Sequence, residues 1–169
     1  MHSTGNGCTY DDMRSMKNQN YDGIDRLTGL YNGEYALKEI QAYMEQNPEC
    51  TAAVYIMDID NFRTVDETLG RLFGNEIMKE IAAAICQVFG KQAVIGRIGG
   101  DKFLIFEKNY ESVGRIRENA KELCHRARST FKGEDQNFVI SLSIGIAIMP
   151  DDGYEWKQLA QHATQALTY

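Results

Sequence analysis

The stretch Ala52-Ala53-Val54-Tyr55-Ile56-Met57-Asp58-Ile59-Asp60 decides the fold. Its first six residues are apolar and do not alternate with polar ones, which describes a strand covered on both faces. Such a strand lies inside a sheet that carries helices on each side. Two carboxylates stand at its C-terminal end, where open α/β sheets present ligands. Asp60 directly precedes Asn61 and a helical pattern, a position that suits a helix cap. Asp58 extends the apolar run, where an ionised carboxylate is costly unless paired or metal-bound. Asp58 therefore reads as a metal ligand and Asp60 as a cap.

Working outward, Asp25 to Asn32 forms a compact turn, and Gly33 to Gln46 is a helix with Tyr35, Leu37, Ile40 and Tyr43 on one face. Pro48 lies just past its end. Beyond the strand, Phe62 to Leu69 is helical. A longer helix follows Gly74, with Ile77, Ile81, Ala84, Ile85 and Val88 at helical spacing. Val94 to Ile98 and Phe103 to Phe106 are short strands joined by Gly99-Gly100-Asp101-Lys102, a hairpin whose tip is built for φ > 0. Glu111 to Phe131 is a helix, Phe138 to Met149 a strand, Pro150 to Gly153 a turn, and Glu155 to Tyr169 a last helix. This order predicts an α/β (α+β) fold with a single mixed sheet of about five strands covered by helices.

The 169 residues suit one domain, placed at 21–169, after a polar lead-in or linker over 1–20. A net charge of −6 argues against bulk-charge coating of nucleic acid or anionic membrane. Arg115, Arg117, Lys121, Arg126, Arg128 and Lys132 read as a solvated helix face, because no aromatic stacking residues interleave them. Cys8, Cys50, Cys86 and Cys124 lie far apart with no CxxC spacing, so neither a zinc site nor a redox pair is signalled. A reducing cytoplasm is the expected location. No apolar run approaches the roughly 18 residues of a spanning helix, and the polar start lacks a signal-peptide core.

The hairpin Gly99-Gly100-Asp101 is an ordinary turn sequence when taken alone. Its setting adds meaning, since two glycines let backbone approach a ligand and Asp101 can face Asp58 from a neighbouring strand. Two carboxylates plus Mg²⁺, completed by phosphate oxygens, is a common magnesium pattern. The chemistry expected there is metal-assisted nucleotidyl transfer.

Five blocks carry a resemblance over residues 25–169: Asp25-x-Leu27-Thr28-Gly29-Leu30-x-Asn32, Asp58-Ile59-Asp60-x-Phe62, Gly70 with Gly74, Arg97-x-Gly99-Gly100-Asp101-Lys102-Phe103, and Ser143-Ile144-Gly145-Ile146-Ala147. The chain resembles the GGDEF domains of the diguanylate cyclase family, whose core is like that of nucleotide cyclases and the polymerase palm. The resemblance implies condensation of two GTP into cyclic di-GMP and two pyrophosphates. Two domains face each other, and each 3′-hydroxyl attacks the α-phosphorus of the other nucleotide. It further implies Mg²⁺ or Mn²⁺ held by the side chains of Asp58 and Asp101 and the main chain of Ile59. Terminal phosphates would lie on Asn61, Phe62 and Arg63, the last standing where the family usually has Lys. GTP, a second GGDEF domain in a transient homodimer, and sensory or other domains are the implied partners. The domain would be cytoplasmic, either alone or within a larger protein attached to a membrane.

The sequence also departs from the family pattern. Lys102 replaces the usual Glu of the signature, so a carboxylate at the catalytic pair Asp101–Lys102 becomes an ammonium. That charge either weakens metal binding, swings away, touches phosphate, or is a solvated hairpin lysine. Asp66 and Asn75, at the base-reading positions, exchange the family's Asn and Asp. This points to a rearranged guanine pocket, an altered base preference, or plain helix-surface groups. Gly33 and Arg71 replace the usual Arg and His, and Gly90-Lys91-Gln92-Ala93 lacks the inhibitory product site. The family's final basic residue is absent after Tyr169, so truncation at that end is expected. Weak or absent cyclase activity follows, with a non-catalytic nucleotide-binding or protein-interaction module as the alternative.

Overall fold

In the computed structural model, residues 23–130 and 139–167 are described. The lead-in over 1–20, the start of the last strand at Phe138 and the final Tyr169 lie outside these residues. Five strands, β1 (Tyr31–Asn32), β2 (Ala52–Ile59), β3 (Ala93–Arg97), β4 (Lys102–Lys108) and β5 (Leu142–Met149), form one sheet in the order β1-β3-β4-β2-β5. β1 and β3 run parallel and the other neighbouring pairs antiparallel, so the sheet is mixed. Among the described residues, five α-helices accompany it: α1 (Gly33–Gln46), α2 (Phe62–Leu69), α3 (Arg71–Phe89), α4 (Val113–Thr130) and α5 (Trp156–Leu167). The expected fold class is the observed one.

The central strand works as its composition requires. Ala53, Tyr55, Met57 and Ile59 pack into the cluster built with α3 and α4. Ala52, Val54 and Ile56 pack into the cluster with Ala36 and Ile40 of α1 and Leu159 and Ala163 of α5. Both faces of β2 are dry, so the side-chain period of two is hidden in the sequence. Antiparallel pairing with β4 and β5 then carries Asp58 opposite Lys102 on one side and Ser143 on the other.

Local chemistry sets the element boundaries. Asn32 caps α1, its side chain accepting from the Tyr35 amide at 2.9 Å. Ser112 Oγ accepts from the Arg115 amide at 3.0 Å at the start of α4. Gly70, at φ +90°, separates α2 from α3. The long helix therefore begins at Arg71, ahead of Gly74, and the turn at Asp25–Asn32 ends in the two-residue β1, which periodicity over so few residues cannot reveal.

The hairpin tip differs from the expectation. Neither Gly99 nor Gly100 lies at positive φ. A Cβ at Gly100 would meet nothing within 4 Å, and one at Gly99 only Lys102 Cβ at 3.8 Å. Folding of the turn leaves open the space in front of these glycines.

Candidate functional site

At the C-terminal end of β2, a cavity of about 500 Å³ is lined by Asp58, Ile59, Asp60, Asn61, Phe62, Arg63, Asp101 and Ser141. Four pieces of chain meet there. The end of β2 and the residue after it deliver Asp58, Ile59 and Asp60, the hairpin before β4 delivers Asp101, the start of α2 delivers Asn61, Phe62 and Arg63, and the residue before β5 delivers Ser141. The Ile59 amide donates to the Asp101 carbonyl at 3.2 Å, which ties the strand end to the hairpin.

The Asp58 carboxyl stands close enough to that of Asp101 to feel it. Burial is the main cause that pushes the Asp58 carboxyl up to about 6, followed by the neighbouring Asp101 carboxyl, while Lys102 acts in the opposite direction. Oδ1 of Asp58 is buried without a hydrogen-bond partner, a costly arrangement unless something else occupies that lone pair. No group of three or more His, Cys, Asp or Glu among the described residues forms a ready metal cage. Two adjacent carboxylates, one with an orphaned oxygen, fit a cation of the Mg²⁺ type. Such an ion commonly takes one or two protein carboxylates and fills its shell with water and phosphate.

Because the metal-bound carboxylate is the deprotonated one, protons compete with the ion. The Mn²⁺ affinity is expected to be level above about pH 7 and to fall about tenfold per pH unit below about pH 6. Titration followed by the electron paramagnetic resonance of free Mn²⁺ checks this. An affinity unchanged between about pH 5 and 7 would contradict the role of Asp58.

Asp60 does not cap α2. Its carboxylate accepts from Ser141 Oγ at 2.6 Å and Ser143 Oγ at 2.5 Å, and its amide donates to the Ser141 carbonyl at 2.9 Å. The cap position is Asn61, in the left-handed region at φ +55° and without a side-chain capping bond. Asp60 was misread because its partners lie about 80 residues away in sequence. It pins the end of β2 to β5, and the turn at Asn61 follows. By helix geometry, the first amides of α2 have no intrahelical acceptors, and two residues that carry them, Phe62 and Arg63, line the cavity.

Arg63 stands on the rim, its side chain 92% exposed and paired with Glu67 at 3.1 Å. A pair this exposed contributes little and can be exchanged for another anion. Asp66 and Asn75 lie on either side of the Gly70 break and do not line the cavity. The Asp66 carboxylate is turned toward Gly74, where a Cβ would come within 2.5 Å of its Oδ1 and 3.1 Å of the Phe62 ring. Lys102 is exposed at the first position of β4.

Sequence reasoning gave Arg97 no role beyond membership in a motif, and the structure supplies one. Its guanidinium donates to the Gly100 carbonyl at 3.1 and 2.7 Å and to the two Asp25 carboxylate oxygens at 3.2 and 3.3 Å. Asp25 in turn accepts from the Thr28 amide at 2.9 Å and the Thr28 hydroxyl at 2.6 Å. The turn that begins the domain therefore holds the tip that carries Asp101. The spacing of 72 residues between Asp25 and Arg97 hides this pairing from local sequence patterns.

The family model for the diguanylate cyclase GGDEF domain matches residues 23–169, and the chain belongs to that family. It is similar to signaling protein YkoW of Bacillus subtilis, 28% identical over 146 residues that cover 85% of this chain and 18% of that protein. It is also similar to the bifunctional diguanylate cyclase/cyclic di-GMP phosphodiesterase MucR of Pseudomonas aeruginosa, 31% identical over 145 residues, covering 85% and 21%. The chain thus spans about a fifth of the length of these curated relatives. Among solved structures, the FimX GGDEF domain of Pseudomonas aeruginosa matches with a TM-score of 0.77 at 17% identity, covering 88% of this chain and 93% of that one. The GGDEF domain of DgcB from Caulobacter crescentus, in complex with c-di-GMP, matches with a TM-score of 0.75 at 23% identity, covering 89% and 90%. At these identities the two structures establish the fold alone. No helix among the described residues is long and apolar enough to cross a membrane.

Proposed function

We propose that the chain is the GGDEF domain of a cyclic di-GMP signalling protein that binds GTP with Mg²⁺ or Mn²⁺ and turns it over weakly or not at all. The observation that carries this reading is the orphaned Oδ1 of Asp58 beside Asp101, in a cavity that the start of α2 also lines. Asp58, Asp101 and the Ile59 carbonyl would hold the cation. That cation would offset phosphate charge and polarise the α-phosphorus. Asn61, Phe62 and Arg63 would take the terminal phosphates, through backbone amides and a guanidinium. Asp66 and Asn75 would meet the base.

In the family reaction, two such domains face each other. Each 3′-oxygen forms a bond to the other nucleotide's α-phosphorus, the bond to the β-phosphate bridging oxygen breaks, and pyrophosphate leaves. Lys102 puts a positive charge where that chemistry has a carboxylate, which is why turnover is expected to be low. A second GGDEF domain, GTP and attached sensory domains are the proposed partners, in the cytoplasm.

A second reading rests on Lys102 and the Asp66/Asn75 exchange: a regulatory module that binds nucleotide or a partner without turnover. Incubation with GTP and Mg²⁺ or Mn²⁺, followed by chromatography for cyclic di-GMP, separates the two. Clear product from the unaltered protein excludes the regulatory reading. GTP binding with no product, and product gained in Lys102→Glu, would place the defect at that one residue. If no condition yields nucleotide binding, the proposal fails.

A further inference from the structure

Strand register gives Lys102 a definite neighbour. It lies directly opposite Asp58 in the antiparallel β2–β4 pair. Directly paired residues project from the same face, with Cβ atoms about 4.5–5.5 Å apart. Lys102 does not itself line the cavity, but it stands beside Asp58, which does, and its charge is felt there. It is exposed and forms no ion pair within 4.0 Å among the described residues. Around it the cavity is acidic: Asp58, Asp60 and Asp101 line it, and its one cationic lining residue, Arg63, is already engaged with Glu67. A polyphosphate entering such a cavity needs positive charge from somewhere. A lysine supplies it as a compact charge on a four-carbon stem with three rotatable donors.

We propose that Lys102 is a built-in counter-cation of this site, whose ammonium contacts the phosphates of a bound nucleoside triphosphate and so lets the triphosphate bind after divalent cations are removed. This rests on the nucleotide reading above and adds what sets this chain apart: nucleotide occupancy and metal occupancy are partly uncoupled. Such a domain would register nucleotide level over a wide range of free Mg²⁺.

The test is calorimetric titration of the full chain with a non-hydrolysable GTP analogue, in Mg²⁺ buffer and in excess chelator, for the unaltered protein, Lys102→Met and Lys102→Arg. Position 102 is exposed, and thermal melting confirms that each variant is folded. The unaltered protein is expected to lose at most about tenfold in affinity on chelation, whereas Lys102→Met loses at least about tenfold more. Lys102→Arg should stay close to the unaltered protein, since it keeps the charge.

If unaltered protein and Lys102→Met lose the same factor on chelation, the inference is overturned and the nucleotide reading stands. If Lys102→Met instead binds the analogue more tightly in Mg²⁺ and no differently in chelator, Lys102 merely repels the cation, and the inference again fails. If no analogue binds in either buffer, both the inference and the nucleotide reading are overturned.

Discussion

Gly145→Ala is expected to destabilise the domain by about 3–5 kcal/mol, with the thermal midpoint falling by roughly 10 °C. A Cβ there would run into the carbonyl oxygen of Ala163 and stand 2.7 Å from the Leu167 amide nitrogen, both of them backbone atoms of α5. No rotamer change relieves such a contact, so the helix must move off β5. That would open the cluster in which Leu159 and Ala163 meet Val54, Ile56 and Ala147. Differential scanning calorimetry of the variant checks it, and a midpoint within about 2 °C of the unaltered protein would show that the backbone of α5 does not close off position 145.

Asp58→Asn is expected to move two quantities in opposite directions. Divalent-metal affinity should fall more than about a hundredfold, because a neutral amide replaces the carboxylate that carries the site. Metal-free stability at neutral pH should rise by about 1 kcal/mol, a figure reduced to allow for the solvent that reaches this partly exposed group. The sign follows from the upward shift. The Asp58 carboxyl titrates near 6 when folded, against an ordinary value of 3.8, so folding favours its neutral form. Its stabilising contribution is complete below about pH 4 and is lost as the pH rises through about 6. An amide stays neutral throughout and can donate to Asp101. Urea melts at about pH 7 and 4.5, with and without Mn²⁺, test both halves. A variant less stable than the unaltered metal-free protein at pH 7 would mean that the Asp58 charge is already satisfied in the fold.

Such a gain in stability on loss of function is what a site built for a ligand should show. Burial, the neighbouring Asp101 and the unpartnered oxygen all raise the energy of the empty protein, and a bound cation relieves them together.

The fold was readable where local pattern carries it. The apolar run Ala52–Met57 marked the central strand, and the spacing of Ile77, Ile81 and Ile85 marked the long helix. Asp58 could be singled out because an acid that extends such a run needs a reason. What escaped depends on partners far away in sequence. Ser141 and Ser143 claim Asp60, Asp25 claims Arg97, and the backbone of Ala163 excludes any side chain at Gly145. None of these three pairings has a periodicity, and each forms only when separate elements pack together: two strands for Asp60, the first turn and a hairpin for Arg97, a strand and the last helix for Gly145. Turn chemistry favours positive φ at the signature glycines, yet the turn closes without it. The room they leave faces outward, where a ligand would approach.

The central claim is that metal and nucleotide meet at the C-terminal end of β2. Its most direct test is paramagnetic broadening of backbone amide signals by Mn²⁺, in the presence of a non-hydrolysable GTP analogue. Signals of residues 58–63 and 99–103 are expected to vanish first. Those at the opposite end of the strand, such as Thr51 and Asn109, should stay sharp, since an eight-residue strand is about 25 Å long. Broadening centred away from Asp58 and Asp101, or spread evenly over the domain, would contradict the account.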